Sequence, residues 1–461
     1  MKNRCLHLLS LITLAALLLS ACSPQATPTA APAPTQAPAP TVAPTQPPPP
    51  PTAPTQPPAP TAAPTQPDIK GQTIEVLLPP WAQLPDDMLA AFEKESGVKV
   101  NLTIADWDKI RDKVSIAGAA GSKLADVTEF DWSWTGQFSK AGWFIPLEDK
   151  LPKDLTSDLV NTAVFTADGH LYAVPYSNDY RIAVYNTDMF NKAGITTPPA
   201  TFDELKADLK LLKDKGVSKY PLAQYMAAGE NTSTDWFLLT MAMGGELFDK
   251  DGKPAFTDPN SGGYRALQFM VDMNKAGYVA PSGFSPDTMW GDQFMAGQVA
   301  IDVDNAPALM PLAEDPKHSK IVGHAKFFLV PGDQAPVASM GLPEGLGIMA
   351  TSEHQDAALA FIQWWMRPEN MIAIQAKLGL MPTRASILDQ EIKSNQIPGG
   401  QVLLDQAKLL KPLFPQGTPA WYSQFSVTAA SLLNAAIKGD KSVPDALNEL
   451  ATKAVGIQSG Q

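Results

Sequence analysis

From residue 68 onward, apolar positions recur with two different periods. The run Thr73-Ile74-Glu75-Val76-Leu77-Leu78 reads as a strand, and Asp86 to Ser96 reads as a helix stopped by Gly97. Val98, Val100, Leu102 and Ile104 then alternate with polar residues, the period of a second strand. Strand, helix and strand within about 30 residues make a βαβ unit with a right-handed crossover. Further along, Thr201-Phe202-Asp203-Glu204 predicts a capping box opening a helix with Leu205, Leu209 and Leu212 on one face. Ser352-Glu353-His354-Gln355 predicts another, opening an apolar helix that runs to Met366 and stops before Pro368. Trp364 and Trp365 fall inside that apolar helix and are expected in the core, as is Trp143. The mixture predicts an α/β body. No repeat of roughly 20–50 residues points to a solenoid or propeller.

Before residue 68 the pattern differs. Lys2 and Arg4 precede an apolar run from Leu8 to Leu19, shorter than the roughly 20 residues a membrane span needs, which fits a secretory signal. It ends in Leu19-Ser20-Ala21-Cys22, which looks like a bacterial lipobox, so residues 1–22 read as a lipoprotein signal peptide with Cys22 lipidated. A plain signal cleaved near Ala21 is the alternative. Residues 23–67 contain only Pro, Thr, Ala, Gln, Val and Ser. Such a segment buries no core and favours extended polyproline II, reaching at most about 140 Å at ~3.1 Å per residue. It reads as a disordered stalk; glycosylation of its threonines stays open.

Composition narrows the function. The 461 residues carry 35 Lys and Arg against 47 Asp and Glu, a net charge of −12, which disfavours a nucleic-acid partner. Both cysteines, Cys5 and Cys22, lie in the signal region, so the body has none for a zinc cluster or a disulfide. Gly118 to Lys123 lacks the spacing of a phosphate loop, and Pro343 and Glu344 break any dinucleotide fingerprint in Gly341 to Gly347. There is no nucleophile elbow and no H-E-x-x-H. His318 and His324 read as a loop pair, and Asp249-Lys250-Asp251-Gly252 as a hairpin turn rather than a calcium loop. No cofactor, metal or catalytic residue is expected, although a pair of carboxylates for glycoside hydrolysis leaves no sequence signature.

Four blocks carry a family resemblance. They are Phe92 to Val100; Ala125-Asp126-Val127 with Phe138, Gly142 and Ile145-Pro146-Leu147; Asp168 to Pro175 leading into Val184 to Phe190 and Ala193-Gly194; and Phe294 to Ile301. Together, over about residues 72 to 455, the chain resembles the extracellular solute-binding proteins of carbohydrate ABC importers, the group that includes maltose-binding protein. Ala125 departs from the family's usual Pro. The resemblance implies a two-lobed, type II periplasmic-binding fold with a ligand cleft and a hinge of several crossings. It places lobe 1 at residues 68–180 with 345–381 and lobe 2 at 182–340 with 384–461. Crossings are expected near Asn178 to Ile182, Ser339 to Gly345 and Met381 to Arg384. It further implies a non-enzymatic, monomeric receptor that delivers a small-molecule carbohydrate to ABC permease subunits, and the lipobox adds an anchor of lipid on the outer face of the cell membrane.

Sugars offer hydroxyls to carboxylates and apolar C–H faces to indoles. Strand ends are where open α/β sheets place ligands. On that logic the candidates are Trp81 after the first strand; Asp131, Trp132 and Trp134; Asp179, Tyr180 and Arg181 at the inferred hinge; and Asp304 with Asn305. Asp235, Trp236, Trp290 and Glu344 join them as possible cleft members, and Trp421 matches an aromatic the family uses for stacking. Rival readings remain: the same fold taking a polyamine or a phosphorylated polyol, a surface-anchored carbohydrate-active enzyme, or an adhesin.

Overall fold

A computed structural model of the chain describes residues 68–285, 291–394, 399–414 and 417–460. The expected signal, Cys22, the stalk and Trp290 lie outside the described residues. Nine strands build two sheets: β1 (Thr73–Leu78), β2 (Lys99–Ile104), β3 (Val127–Asp131), β4 (Val174–Ser177), β5 (Ile182–Asn186), β6 (Leu222–Ala223), β7 (Ile301–Asn305), β8 (Ala325–Phe328) and β9 (Glu344–Ile348). The first sheet runs β2-β1-β3-β9-β4 and the second β8-β5-β7-β6. β1 lies parallel to β2 and β3, as a βαβ crossover requires, whereas β9 is antiparallel to β3 and β4.

Local sequence explains most of these elements. The helix Asp86–Ser96 buries Met88 and Phe92, and Gly97 closes it at φ 74°, a left-handed cap that glycine adopts without strain. The Thr201 hydroxyl accepts from Glu204 N at 3.2 Å and the Glu204 carboxylate accepts from Thr201 N at 3.1 Å, the expected reciprocal cap. Leu205, Leu209 and Leu212 behind it are fully buried. The second expected box does not form. That helix spans Gln355–Trp365, so Ser352 falls outside its cap position. The Ser352 hydroxyl instead accepts from His354 N and donates to Asp126 at 2.8 Å. Asp126, fully buried, also accepts from Glu75 N at 2.8 Å, so one carboxylate ties β1, the start of β3 and the residues after β9. Trp364 and Trp365 are buried against Phe92, Phe361 and Tyr176, while Trp143 is half-buried at the edge of the same core on Phe138.

The chain leaves the first sheet for the second between β4 and β5 and returns between β8 and β9, and the segment around residues 381–383 makes a third passage beside these two; the passages are stitched together. Arg181 N donates to Met340 O at 2.9 Å, Leu342 N to Asp179 O at 2.8 Å, and the Ser339 hydroxyl to Arg181 O at 2.6 Å. The third passage is held by Asn178 N donating to Met381 O and by the Thr383 hydroxyl donating to Pro175 O. These bonds lie beside Asp179, Arg181, Leu342 and Glu344, which line the space between the sheets. No helix among the described residues is long and apolar enough to cross a membrane.

Candidate functional site

A cleft of about 570 Å³ opens between the two sheets. One wall comes from Trp81 after β1, Trp107 after β2, and Asp131, Trp132 and Ser133 at the end of β3. The other comes from Tyr225 and the N-terminal turn of the helix Glu230–Ala242, with Asp179, Arg181 and Glu344 beside the passages between the sheets. Asp131 caps the short turn that follows it by accepting from Ser133 N at 2.8 Å, which turns Trp132 into the cleft and Trp134 away from it.

Six sequence candidates therefore border the cleft: Trp81, Asp131, Trp132, Asp179, Arg181 and Glu344. Asp304 stands behind Arg181, its Oδ1 2.9 Å from the guanidinium Nε but off the line of a hydrogen bond. Asp235 borders a small chamber next to the cleft and shares Tyr225 with it, accepting from Tyr225 N at 2.9 Å. The remaining described candidates face elsewhere. Trp134 is fully buried between Trp107 and Phe138. Trp236 is fully buried and donates its indole N–H to Gly263 O at 2.7 Å. The Tyr180 hydroxyl donates to Leu403 O, and Asn305 is buried with its amide bonded to Asp302 and Ala306. Trp421 packs into an aromatic cluster with Phe248, Phe414 and Phe425 rather than on the cleft wall. Its neighbour Tyr422 meets Trp132, with ring centroids 5.2 Å apart.

Trp107, Asp106 and Asp108 escaped the sequence reading although Ala105-Asp106-Trp107-Asp108 follows a strand end as plainly as Asp131 to Trp134 does. Glu230 had no such signal. It sits on the first turn of a helix whose other residues are nearly all buried, and it accepts from Tyr422 and Ser426, each at 2.6 Å.

The electrostatics are lopsided. Burial pushes Asp131 up to about 6, against the opposing donors of Ser133. Burial also pushes Asp179 up to about 6, with Arg181 pulling down and Asp304 pushing up. Asp302, buried and beside Asp304, reaches about 7. Glu344 and Glu129 lie well above the carboxylate range through burial first and neighbouring carboxylates second. Raised folded-state values mean that the folded chain holds these protons more tightly than the unfolded one, so acid favours folding here. A two-unit shift is worth about 3 kcal/mol per group as an upper bound. Ligand-free protein should therefore gain several degrees in Tm as pH falls from 8 to 5. The rise starts near 7 and flattens toward 4, where the ordinary carboxylate range is reached. Thermal unfolding across that range tests it; a Tm that is flat or falls would contradict the buried, uncompensated charges.

Among the described residues no cluster of His, Cys, Asp and Glu is arranged to hold a metal ion. The cleft instead offers hydrogen-bond acceptors, indole faces and one guanidinium, a set suited to reversible binding of a polar ligand.

Comparison with known proteins agrees with this geometry. A putative binding protein of Brucella abortus is 24% identical over 382 residues, covering 81% of this chain and 89% of its own length. The mannitol-binding protein of Pseudomonas aeruginosa is 28% identical over 316 residues, covering 64% of this chain and 70% of its own. An ABC transporter solute-binding protein of Thermotoga lettingae, solved with α-D-tagatose, superposes with a TM-score of 0.74 at 24% identity over 84% of this chain and 99% of that one. One from Agrobacterium radiobacter, solved with ribitol, gives 0.75 at 21% identity over 84% and 98%. The shared fold is the two-lobed type II periplasmic-binding architecture. Residues 80–372 match the family described as bacterial extracellular solute-binding protein, and this chain belongs to that family.

Proposed function

We propose that this protein is the solute receptor of an ABC importer, capturing a sugar or polyol in the cleft and presenting it to the permease. The observation that carries the reading is the composition of the cleft. Three indoles (Trp81, Trp107 and Trp132) supply flat apolar faces, and Asp131, Asp179 and Glu344 supply acceptors for adjacent hydroxyls. Relatives named for mannitol, maltotriose and diacetylchitobiose support the same chemistry. A phosphorylated ligand fits poorly, because Arg181 is already held by Asp304 and Asp179. Lobe 1 comprises residues 68–180 with 345–381 and lobe 2 residues 182–340 with 384–461, each rich in one of the two sheets. The ligand is released unchanged, in keeping with a binding-protein family. The receptor acts as a monomer, held outside the membrane by lipid on Cys22; a Streptomyces antibioticus relative named as a lipoprotein supports the anchor.

A thermal-unfolding screen against mono- and oligosaccharides, polyols, polyamines and sugar phosphates tests this. A ligand at 100 times its Kd adds about 2.7 kcal/mol, a visible shift. One sugar or polyol class should shift Tm and be recovered unchanged, and Trp132→Ala should weaken it at least tenfold. Hydrolysed ligand, or no shift from any sugar or polyol, would overturn the reading.

A further inference from the structure

The first lobe gathers carboxylates where its sheet meets the cleft, with no cation to match them. Glu344 on β9 stands directly opposite Asp131 on β3. Residues opposite one another in a ladder project on the same face, and like charges there repel. Glu129, two residues before Asp131 on β3, shares that face by the two-residue period of a strand. None of β1, β3, β4 and β9 contains Lys, Arg or His. The charges the neighbouring elements do bring are more carboxylates or already committed. Asp179 adds a fourth negative group that repels Glu344. Arg181 reaches Asp304 at 2.9 Å and Asp179 at 3.5 Å. Lys109 lines the cleft but is exposed on a helix that also presents Asp108.

The carboxylates also face the cleft. Glu344 is 9% exposed and lines it, with the neutral Tyr176 hydroxyl and Trp81 indole as the donors beside it. The Tyr176 hydroxyl is committed to Glu129, to which it donates at 2.7 Å, and the Trp81 indole N–H near Glu344 is buried and off the line of a good hydrogen bond, so neither neighbour brings a positive charge. Asp179 Oδ1 and Glu129 Oε1 are buried and unpaired as well. Neutral hydroxyls can meet such acceptors, but they leave the mutual repulsion in place when the cleft closes and water is excluded. An ammonium group removes it, and indole faces attract the same cation through their π-systems. Trp81, Trp107 and Trp132 stand around the site.

We propose that the ligand of this receptor carries a protonated amine among its hydroxyls, an amino sugar or amino polyol, with the ammonium seated between Asp131 and Glu344. The proposal rests on the sugar-receptor reading above and narrows its substrate class.

Calorimetric titration at pH 7.5 with matched pairs tests it: glucosamine against glucose, and 1-amino-1-deoxysorbitol against sorbitol, with spermidine as a cation without the polyol. In at least one pair the amino member should bind tenfold tighter or more, a difference of about 1.4 kcal/mol. Glu344→Gln should shrink that ratio toward one, and Asp131→Asn provides a second variant should the first fail to fold. Equal binding within each pair, or preference for the neutral member, overturns the amine and leaves the sugar receptor standing. Absence of binding by both members of each pair overturns the amine proposal for these probes, while the broader screen decides the receptor reading independently. Binding of spermidine alone overturns both.

Discussion

Arg181→Met should lower the unfolding temperature of the ligand-free protein by about 5–10 °C at pH 7.5, and by much less at pH 5. The guanidinium is the cation facing Asp179, Asp304 and Asp235 at the floor of the cleft, and it contacts the first two directly. Deleting one partner from a buried charge cluster costs about 3–5 kcal/mol, because the charges left behind have lost their water. Methionine retains much of the aliphatic volume, so the loss reads out charge more than packing. The pH comparison separates the two. Without Arg181 the carboxylates escape their repulsion by taking up protons, and at pH 5 that uptake is nearly free. A deficit of equal size at both pH values would mean that the side chain matters through packing alone. Thermal unfolding with circular dichroism at the two pH values is sufficient, and Asp179→Asn in the Arg181→Met background should recover part of the loss at pH 7.5.

The contrast between fold and site shows what a linear sequence can and cannot carry. The first strand, its helix with Gly97, and the Thr201–Glu204 cap were legible because period and capping chemistry are local. The Ser352 cap was misread for the opposite reason: its hydroxyl answers to Asp126, whose carboxylate lies 226 residues away in sequence. The site divides in the same way. Strand ends pointed at Trp81, Asp131, Trp132 and the acids near the passages, all of which border the cleft, because a strand's C-terminal end is a place in the fold as well as in the chain. Which of two neighbouring tryptophans faces the cleft was not legible. Trp132 and Trp134 stand two residues apart in one short turn, and the Asp131–Ser133 bond decides the matter. Trp236 and Trp421 looked equally available, yet each is held in an aromatic cluster drawn from distant segments. Residue type alone overstates the number of aromatic rings in a binding site, since the core uses the same rings.

Gly136→Val should weaken ligand binding about 100-fold while leaving the stability of the ligand-free protein nearly unchanged. Gly136 lies in the helix Thr135–Lys140, immediately after the Trp132–Trp134 turn of the first lobe. A Cβ at this position would come within 2.2 Å of Thr418 O and 2.8 Å of both Ala420 N and Pro419 C. Those are backbone atoms, so no side chain can swing aside to make room. They lead into the helix Tyr422–Lys438, which packs on the helices Glu230–Ala242 and Gly262–Lys275. Nearby, Trp132 meets Tyr422 and the Gln137 amide oxygen accepts from the Ser423 hydroxyl at 3.5 Å. The glycine thus lets residues 418–420 pack directly on the helix Thr135–Lys140, next to the cleft residue Trp132, and a branched side chain there is a wedge. Ligand gains affinity from closure only as far as the closed state is accessible, so raising that state by about 2.7 kcal/mol costs the full factor of 100. An open protein relieves the clash by separating its lobes, which is why its own unfolding should hardly change. Small-angle scattering gives the independent readout: saturating ligand should contract the wild type and fail to contract the variant, with Gly136→Ala in between. Unchanged affinity would mean that the lobes close without this contact. A loss of several degrees in ligand-free Tm would mean that the contact is permanent, a fixed part of the fold rather than a surface that meets on closing.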